Sequence, residues 1–139
     1  MAPLRRTVFY VEDHPVNALL MAAIFERRPH LELVIATNGQ EALATAAGMQ
    51  PALLLLDLGL PDCHGSQLLR RLRMLPGMAS IPAIAVTADA TFSIEGTDFC
   101  ELWPKPLHLN LVLARLDVLT GAAPAPLHPQ WHSQFGALA

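Results

Sequence analysis

Short apolar runs alternate with longer amphipathic segments along most of this chain. The apolar runs predict five strands, over 7–11, 31–36, 52–56, 81–86 and 99–103. Apolar residues at helical spacing predict helices over 15–27, 40–47, 66–74 and 107–119. The run 52–56 is apolar at every position and ends at Asp57, which is typical of a central parallel strand buried on both faces.

This order of elements predicts the fold class. Five strands alternating with helices indicate an α/β domain with a doubly wound, five-stranded parallel sheet and right-handed crossovers. The pattern is weak from 88 to 98, so the helix between the fourth and fifth strands is expected to be short. We expect one domain over 7–120, after an N-terminal extension (1–6) and before a proline-containing tail (121–139).

Composition narrows the class of protein. The 139 residues are 53% hydrophobic and 15% charged, which excludes a disordered chain. The net charge is −3 and the nine lysines and arginines form no long basic run, so we expect no direct contact with nucleic acid. The N-terminus fits neither a signal peptide nor a membrane span, and we expect a cytoplasmic protein with reduced cysteines.

Polar side chains follow three of the predicted strands. Glu12 and Asp13 come after the first strand, Asp57 after the third and Lys105 after the fifth. Parallel strands place their carboxyl ends at one edge of a sheet, so these residues are expected to form a carboxylate cluster with one lysine. Taken singly, each has an ordinary interpretation, such as capping of the helix at 15–27 or a surface charge.

Four fragments of the chain carry a family resemblance. The segments VEDHPVN, LLLLDLGLPDCHG and AVTADA and the later Lys105-Pro106 pair resemble the receiver domain of two-component response regulators. The resemblance covers about residues 7 to 120. It implies the flavodoxin-like strand order 2-1-3-4-5.

The resemblance also implies a role for each residue of the predicted cluster. Asp57 would be the phosphoacceptor, taking a phosphoryl group from a phosphohistidine. Thr87 and Lys105 would contact the phosphoryl group. Pro106 matches a proline that often follows a cis bond in relatives. The implied Mg²⁺ ligands are the side chains of Glu12, Asp13 and Asp57 and the backbone carbonyl of Gly59.

Two features depart from the family pattern. Leu102 stands three positions before the lysine, where relatives commonly have an aromatic ring that turns inward on activation. Thr87 and Lys105 are 18 positions apart, about one helical turn closer than the resemblance implies. The resemblance therefore predicts neither an aromatic switch in this chain nor the partner that would bind at the shortened fourth helix.

The leading hypothesis is a phosphoacceptor signalling module rather than an enzyme, acting in a phosphorelay. Its implied partner is a sensor histidine kinase or a histidine phosphotransfer protein, and a homodimer stays open. One alternative is a receiver-like module that binds without being phosphorylated. An aspartyl-phosphate phosphatase would need a second aspartate where Gly59 stands, and a flavin domain would need a phosphate loop after the first strand.

Overall fold

The computed structural model describes residues 5–121, so most of the expected extension and tail lies outside the described residues. The sheet contains five strands. Its strands are β1 (Arg6–Val11), β2 (Leu31–Ala36), β3 (Leu53–Asp57), β4 (Ala83–Thr87) and β5 (Glu101–Pro104). The helices are α1 (Pro15–Phe25), α2 (Gly39–Ala46), α3 (Gly65–Arg73) and α4 (Leu109–Leu119).

The sheet has the topology that the family resemblance implied. Its order is β2-β1-β3-β4-β5, and every neighbouring pair is parallel. The register places Val11 beside Leu56, Asp57 beside Val86, and Thr87 beside Pro104. The carboxyl ends of β1, β3, β4 and β5 therefore lie along one edge, as a doubly wound sheet requires.

The sheet buries both of its faces. Alternate residues of β1 and β3, including Phe9 and Leu54, pack with the buried faces of α2 and α3. The residues between them, including Tyr10 and Leu55, are equally buried. A strand buried on both sides has no place for an exposed polar residue, which explains the unbroken apolar run that ends at Asp57.

Several strand boundaries differ from the prediction by one or two residues. Strand β4 begins at Ala83 rather than at 81, because Pro82 lacks the N–H that a central ladder position needs. The carbonyl of Pro82 still accepts a bond from the Leu54 amide (2.9 Å). Strand β5 begins at Glu101 rather than at 99. Asp57 and Thr87 prove to be the last residues of β3 and β4, not the residues that follow them.

The connection between β4 and β5 contains no helix, so the prediction of a short helix there was wrong. Residues 88–100 contain turns and bends and no helical residue. Side chains satisfy its amides locally: the Asp89 carboxylate accepts from the Thr91 amide (2.9 Å), and the Ser93 hydroxyl from the Glu95 amide (3.1 Å). Such side-chain bonds compete with helical ones, and Gly96 adopts a φ of 74° that a helix does not contain.

The final helix belongs to a separate compact unit. Residues up to 107 form the unit that contains the sheet and α1 to α3, and α4 lies in the unit that begins at His108. Helix α4 matches the helix predicted over 107–119 except in its first two residues. Over 5–121, the helices are too short or too polar to cross a membrane.

Gly65 is where α3 approaches the end of β3 most closely. A Cβ atom there would lie 2.7 Å from the Asp57 carbonyl oxygen and 2.9 Å from Leu58 Cα. Because both are backbone atoms, no side-chain rotation relieves the overlap. Gly59 in the same loop has no heavy atom within 4 Å of its Cβ position.

We therefore expect Gly65→Ala to destabilise the protein by about 1–3 kcal/mol, the usual cost of overpacking. Gly59→Ala should change stability by less than about 0.5 kcal/mol. Urea unfolding of both variants measures the difference. Equal effects of the two substitutions would contradict the close approach of α3 to β3.

Candidate functional site

A lysine and two buried carboxylates meet at the carboxyl edge of the sheet. Glu12 follows β1, Asp57 ends β3 and Lys105 follows β5. The Lys105 Nζ lies 2.8 Å from Glu12 Oε1 and 3.2 Å from Asp57 Oδ2. Glu12 is 1% exposed and Asp57 6% exposed, so both ion pairs are largely shielded from water. The convergence expected from the strand ends is present.

Glu12 is held in place from several directions. Its amide extends the ladder to β2 by donating to the Ala36 carbonyl (2.9 Å). The hydroxyl of Tyr10 donates to Glu12 Oε1 (2.9 Å), and the His14 amide lies 3.3 Å from Glu12 Oε2. The sequence analysis did not identify Tyr10 as part of the site. The sequence did offer a signal for this contact. Tyr10 places a hydroxyl in an otherwise apolar strand, two residues before Glu12 and therefore on the same side of the sheet.

The pKa values of the two buried carboxyl groups are shifted in opposite directions. Burial raises the pKa of Asp57 to about 6 from 3.8, and the adjacent Glu12 adds to the rise. Burial also pushes the pKa of Glu12 upward, but hydrogen bonds with Asp57 and Lys105 outweigh it and hold that pKa below its ordinary value. Of the two carboxyl groups, Asp57 is therefore the one that keeps its proton to higher pH.

Lys105 remains charged in this pocket. Burial lowers the pKa of the ammonium group, but its bond to Glu12 and the charge of Asp57 outweigh that effect and raise the pKa above its ordinary value. The lysine therefore supplies a permanent positive charge between the two carboxylates.

Asp13 completes a cluster of three carboxylates. It is exposed, and one of its oxygens lies within 4.8 Å of an oxygen from Glu12 and one from Asp57. Three carboxylates against one ammonium leave an excess of two negative charges when all are ionised. Carboxylate oxygens are hard ligands, and an excess of two charges matches a divalent cation, so the donor set fits Mg²⁺.

Thr87 and Gly59 lie at the same edge with different contacts. The Thr87 hydroxyl accepts from the Asp89 amide (3.0 Å), and the Thr87 carbonyl accepts from the Lys105 amide (2.9 Å). Gly59 donates its N–H to Asp57 Oδ1 (3.2 Å). Its carbonyl as a metal ligand, and Thr87 as a phosphoryl contact, stay predictions. The bond between Lys105 and Pro106 is cis, as the resemblance implied.

Comparison with known proteins places this geometry in a family. The family model "Response regulator receiver domain" matches residues 8–98. The polar-differentiation response regulator DivK of Brucella anthropi is 35% identical over 85 residues, which are 61% of this chain and 68% of DivK. The chain therefore belongs to the response regulator receiver domain family.

One relative is a much larger protein. The signal transduction histidine-protein kinase BarA of Escherichia coli K12 is 36% identical over 88 residues, which cover 63% of this chain but only 9% of BarA. The chain thus spans a small part of that relative's length.

Solved structures share the fold. The receiver domain of a sensor histidine kinase from Pseudomonas aeruginosa PAO1, crystallised with a magnesium ion in its active site cleft, has a TM-score of 0.74. It is 23% identical, and the match covers 84% of this chain and 98% of that one. A CheY-like receiver domain from Methanospirillum hungatei has a TM-score of 0.75 at 22% identity, covering 85% and 95% of the two chains.

The titration of Asp57 predicts a pH-dependent effect on stability. An acid whose pKa is about 6 when folded and 3.8 ordinarily binds its proton more tightly in the folded state. Its ionisation therefore costs stability as pH rises from about 4 to 7. In metal-free buffer, Asp57→Asn should be more stable than the parent by about 3 kcal/mol at pH 7, with the gain nearly gone at pH 4.

Urea unfolding in a chelator at both pH values tests this prediction. Asp62→Asn is the matched control, because Asp62 is exposed and bonds to the Gly39 and Gln40 amides lower its pKa. That substitution should give no gain that grows with pH. A gain at Asp57 that is the same at both pH values would show that its ionisation is not the cause.

Proposed function

We propose that this chain is a Mg²⁺-dependent phosphoacceptor module that takes a phosphoryl group from a phosphohistidine onto Asp57. The observation that carries the proposal is the contact between the buried Asp57 carboxylate and Lys105 at 3.2 Å, within a cluster of three carboxylates. A nucleophile, a fixed cation and a divalent-metal donor set meet at one point. Membership of the receiver domain family supports the same chemistry.

The chain's own residues position and stabilise the reacting groups. Lys105 lies beside Asp57 Oδ2, where it offsets charge on the acceptor and on the equatorial oxygens of the incoming phosphoryl group. The Gly59 amide holds Asp57 Oδ1 (3.2 Å), which leaves the other oxygen as the nucleophile. The carboxylates of Glu12, Asp13 and Asp57 would hold Mg²⁺, which would supply positive charge to offset these carboxylates and the phosphoryl oxygens.

The switch that follows would begin at Thr87. A phosphorylated Asp57 carries a charge of about −2 and three acceptor oxygens. The Thr87 hydroxyl would turn toward it and give up the bond it now accepts from the Asp89 amide. Asp89 is the second residue of the turn-rich connection over 88–100, so that segment would rearrange on phosphorylation. Leu102 stands three positions before Lys105, where relatives commonly have an aromatic ring, so the rearrangement would proceed without a ring that turns inward.

The exposed face of α1 supports the proposed partner. Helix α1 begins two residues after Asp13, and Val16 and Leu19 expose 64% and 71% of their surface. An apolar surface beside the acceptor suits the docking of a histidine kinase or histidine phosphotransfer protein. The cytoplasmic location and the absence of direct nucleic-acid contact stay predictions.

The central prediction is a covalent modification at one residue. Incubation with acetyl phosphate and Mg²⁺ should add the mass of one phosphoryl group, and a chelator should prevent it. Asp57→Asn should show no gain, while the control Asp62→Asn should gain as the parent does. Absence of any gain at saturating donor would favour a receiver-like module that acts by binding alone.

A second prediction separates docking from chemistry. Leu19→Ser should slow phosphoryl transfer from a phosphorylated histidine phosphotransfer protein by about tenfold, because it removes an apolar contact of about 1–2 kcal/mol. Phosphorylation by acetyl phosphate should be unchanged. Met74→Ser is the control, since Met74 is 84% exposed at the far end of α3. An equal loss of transfer rate in both variants would show that α1 is not part of the docking surface.

A further inference from the structure

A cavity of about 470 Å³ lies between α3 and the turn-rich connection that follows β4. Its walls are one face of α3, from Ser66 to Arg73, and residues 92–99 of the connection. The volume is in the range of small-molecule sites. No residue of the carboxylate cluster lines this cavity, so it is distinct from the proposed phosphoacceptor site.

The apolar part of the cavity is built on aromatic rings. Phe92 and Phe99 meet edge to face with their ring centroids 6.4 Å apart, and Leu69 lies in the opposite wall. Phe99 and Leu69 are buried in the core and Phe92 is half-buried, so the rings are held in position. Such a surface suits an aromatic or branched apolar group.

The polar part of the cavity carries one uncompensated positive charge. Arg73 is held by three protein acceptors: its Nε donates to Asp98 Oδ2 (2.6 Å), and its Nη1 donates to the Met78 and Ile81 carbonyls. Arg70 lies on the same face of α3 and is exposed, with no ion pair or hydrogen bond to the residues described. Two arginines and one aspartate give the lining a net charge of +1.

We propose that this cavity binds a small organic anion, with an aromatic or branched apolar body and a carboxylate that pairs with Arg70. The body would lie against Phe92 and Phe99, and the carboxylate at the open rim. The ligand is expected to be an anion because, of the two arginines that line the cavity, Arg70 has no ion pair or hydrogen bond within residues 5–121. A guanidinium also matches the planar, two-oxygen geometry of a carboxylate.

Two probes of the same shape test the charge requirement. We would titrate the full chain with 1-naphthoate and with 1-naphthalenemethanol and follow the amide signals by two-dimensional NMR. Saturable shifts should centre on residues 66–73 and 92–99. The acid should bind about tenfold more tightly than the alcohol, the value expected of one charge-assisted hydrogen bond at a partly exposed site.

Two single substitutions on α3 form a matched pair. Arg70→Gln should abolish the preference for the acid and leave alcohol binding unchanged. Arg71→Gln should leave both affinities unchanged, because Arg71 is exposed on α3 but does not line the cavity. Arg70→Glu should reverse the preference, so that 1-naphthylmethylammonium binds more tightly than the acid. Thermal melts check that the variants fold.

Several results would overturn the proposal. Equal affinities for acid and alcohol, or an equal effect of the two glutamine substitutions, would remove Arg70 from recognition. Shifts centred on a second large cavity, between α1 and β2 near Phe25 and Leu33, would show that the probes bind there instead. Failure of every small probe, with binding of an acidic peptide at 66–73, would assign the surface to a protein segment instead.

Discussion

The site depends on one arrangement of charge, in which Lys105 bridges Glu12 and Asp57 at the edge of the sheet. Two carboxylates this close and this buried repel each other, and the lysine offsets only part of that repulsion. Burial and the remaining repulsion from Glu12 raise the pKa of Asp57. The pocket is thus short of positive charge, which is the condition that favours both a divalent cation and the binding of a metal-bound phosphoryl donor.

The parallel sheet is what makes this arrangement available. The apolar strands are buried on both faces, so polar side chains are confined to the strand ends, and parallel pairing collects those ends along one edge. The site therefore takes its rigidity from the hydrophobic core. Gly65 illustrates the coupling, because α3 begins in contact with the backbone of Asp57 itself.

The connection after β4 gives this receiver domain a feature of its own. Turns replace the expected short helix, and the amide of Asp89, the second residue of this segment, donates to the Thr87 hydroxyl. The same turns form one wall of the cavity that contains Arg70 and Phe92. Any rearrangement that starts at Thr87 would thus reach a surface that is not a packed helix.

The sequence pattern by itself determined the five parallel strands, the helices outside 88–98 and the meeting of Glu12, Asp57 and Lys105, whereas the strand order was implied by the family resemblance. Strand periodicity and the direction of parallel strands are local rules that need no coordinates. Only the tertiary structure revealed the bond from Tyr10 to Glu12 and the turns after β4. Those features arise from packing and from competition between side-chain and backbone hydrogen bonds, which residue spacing does not encode.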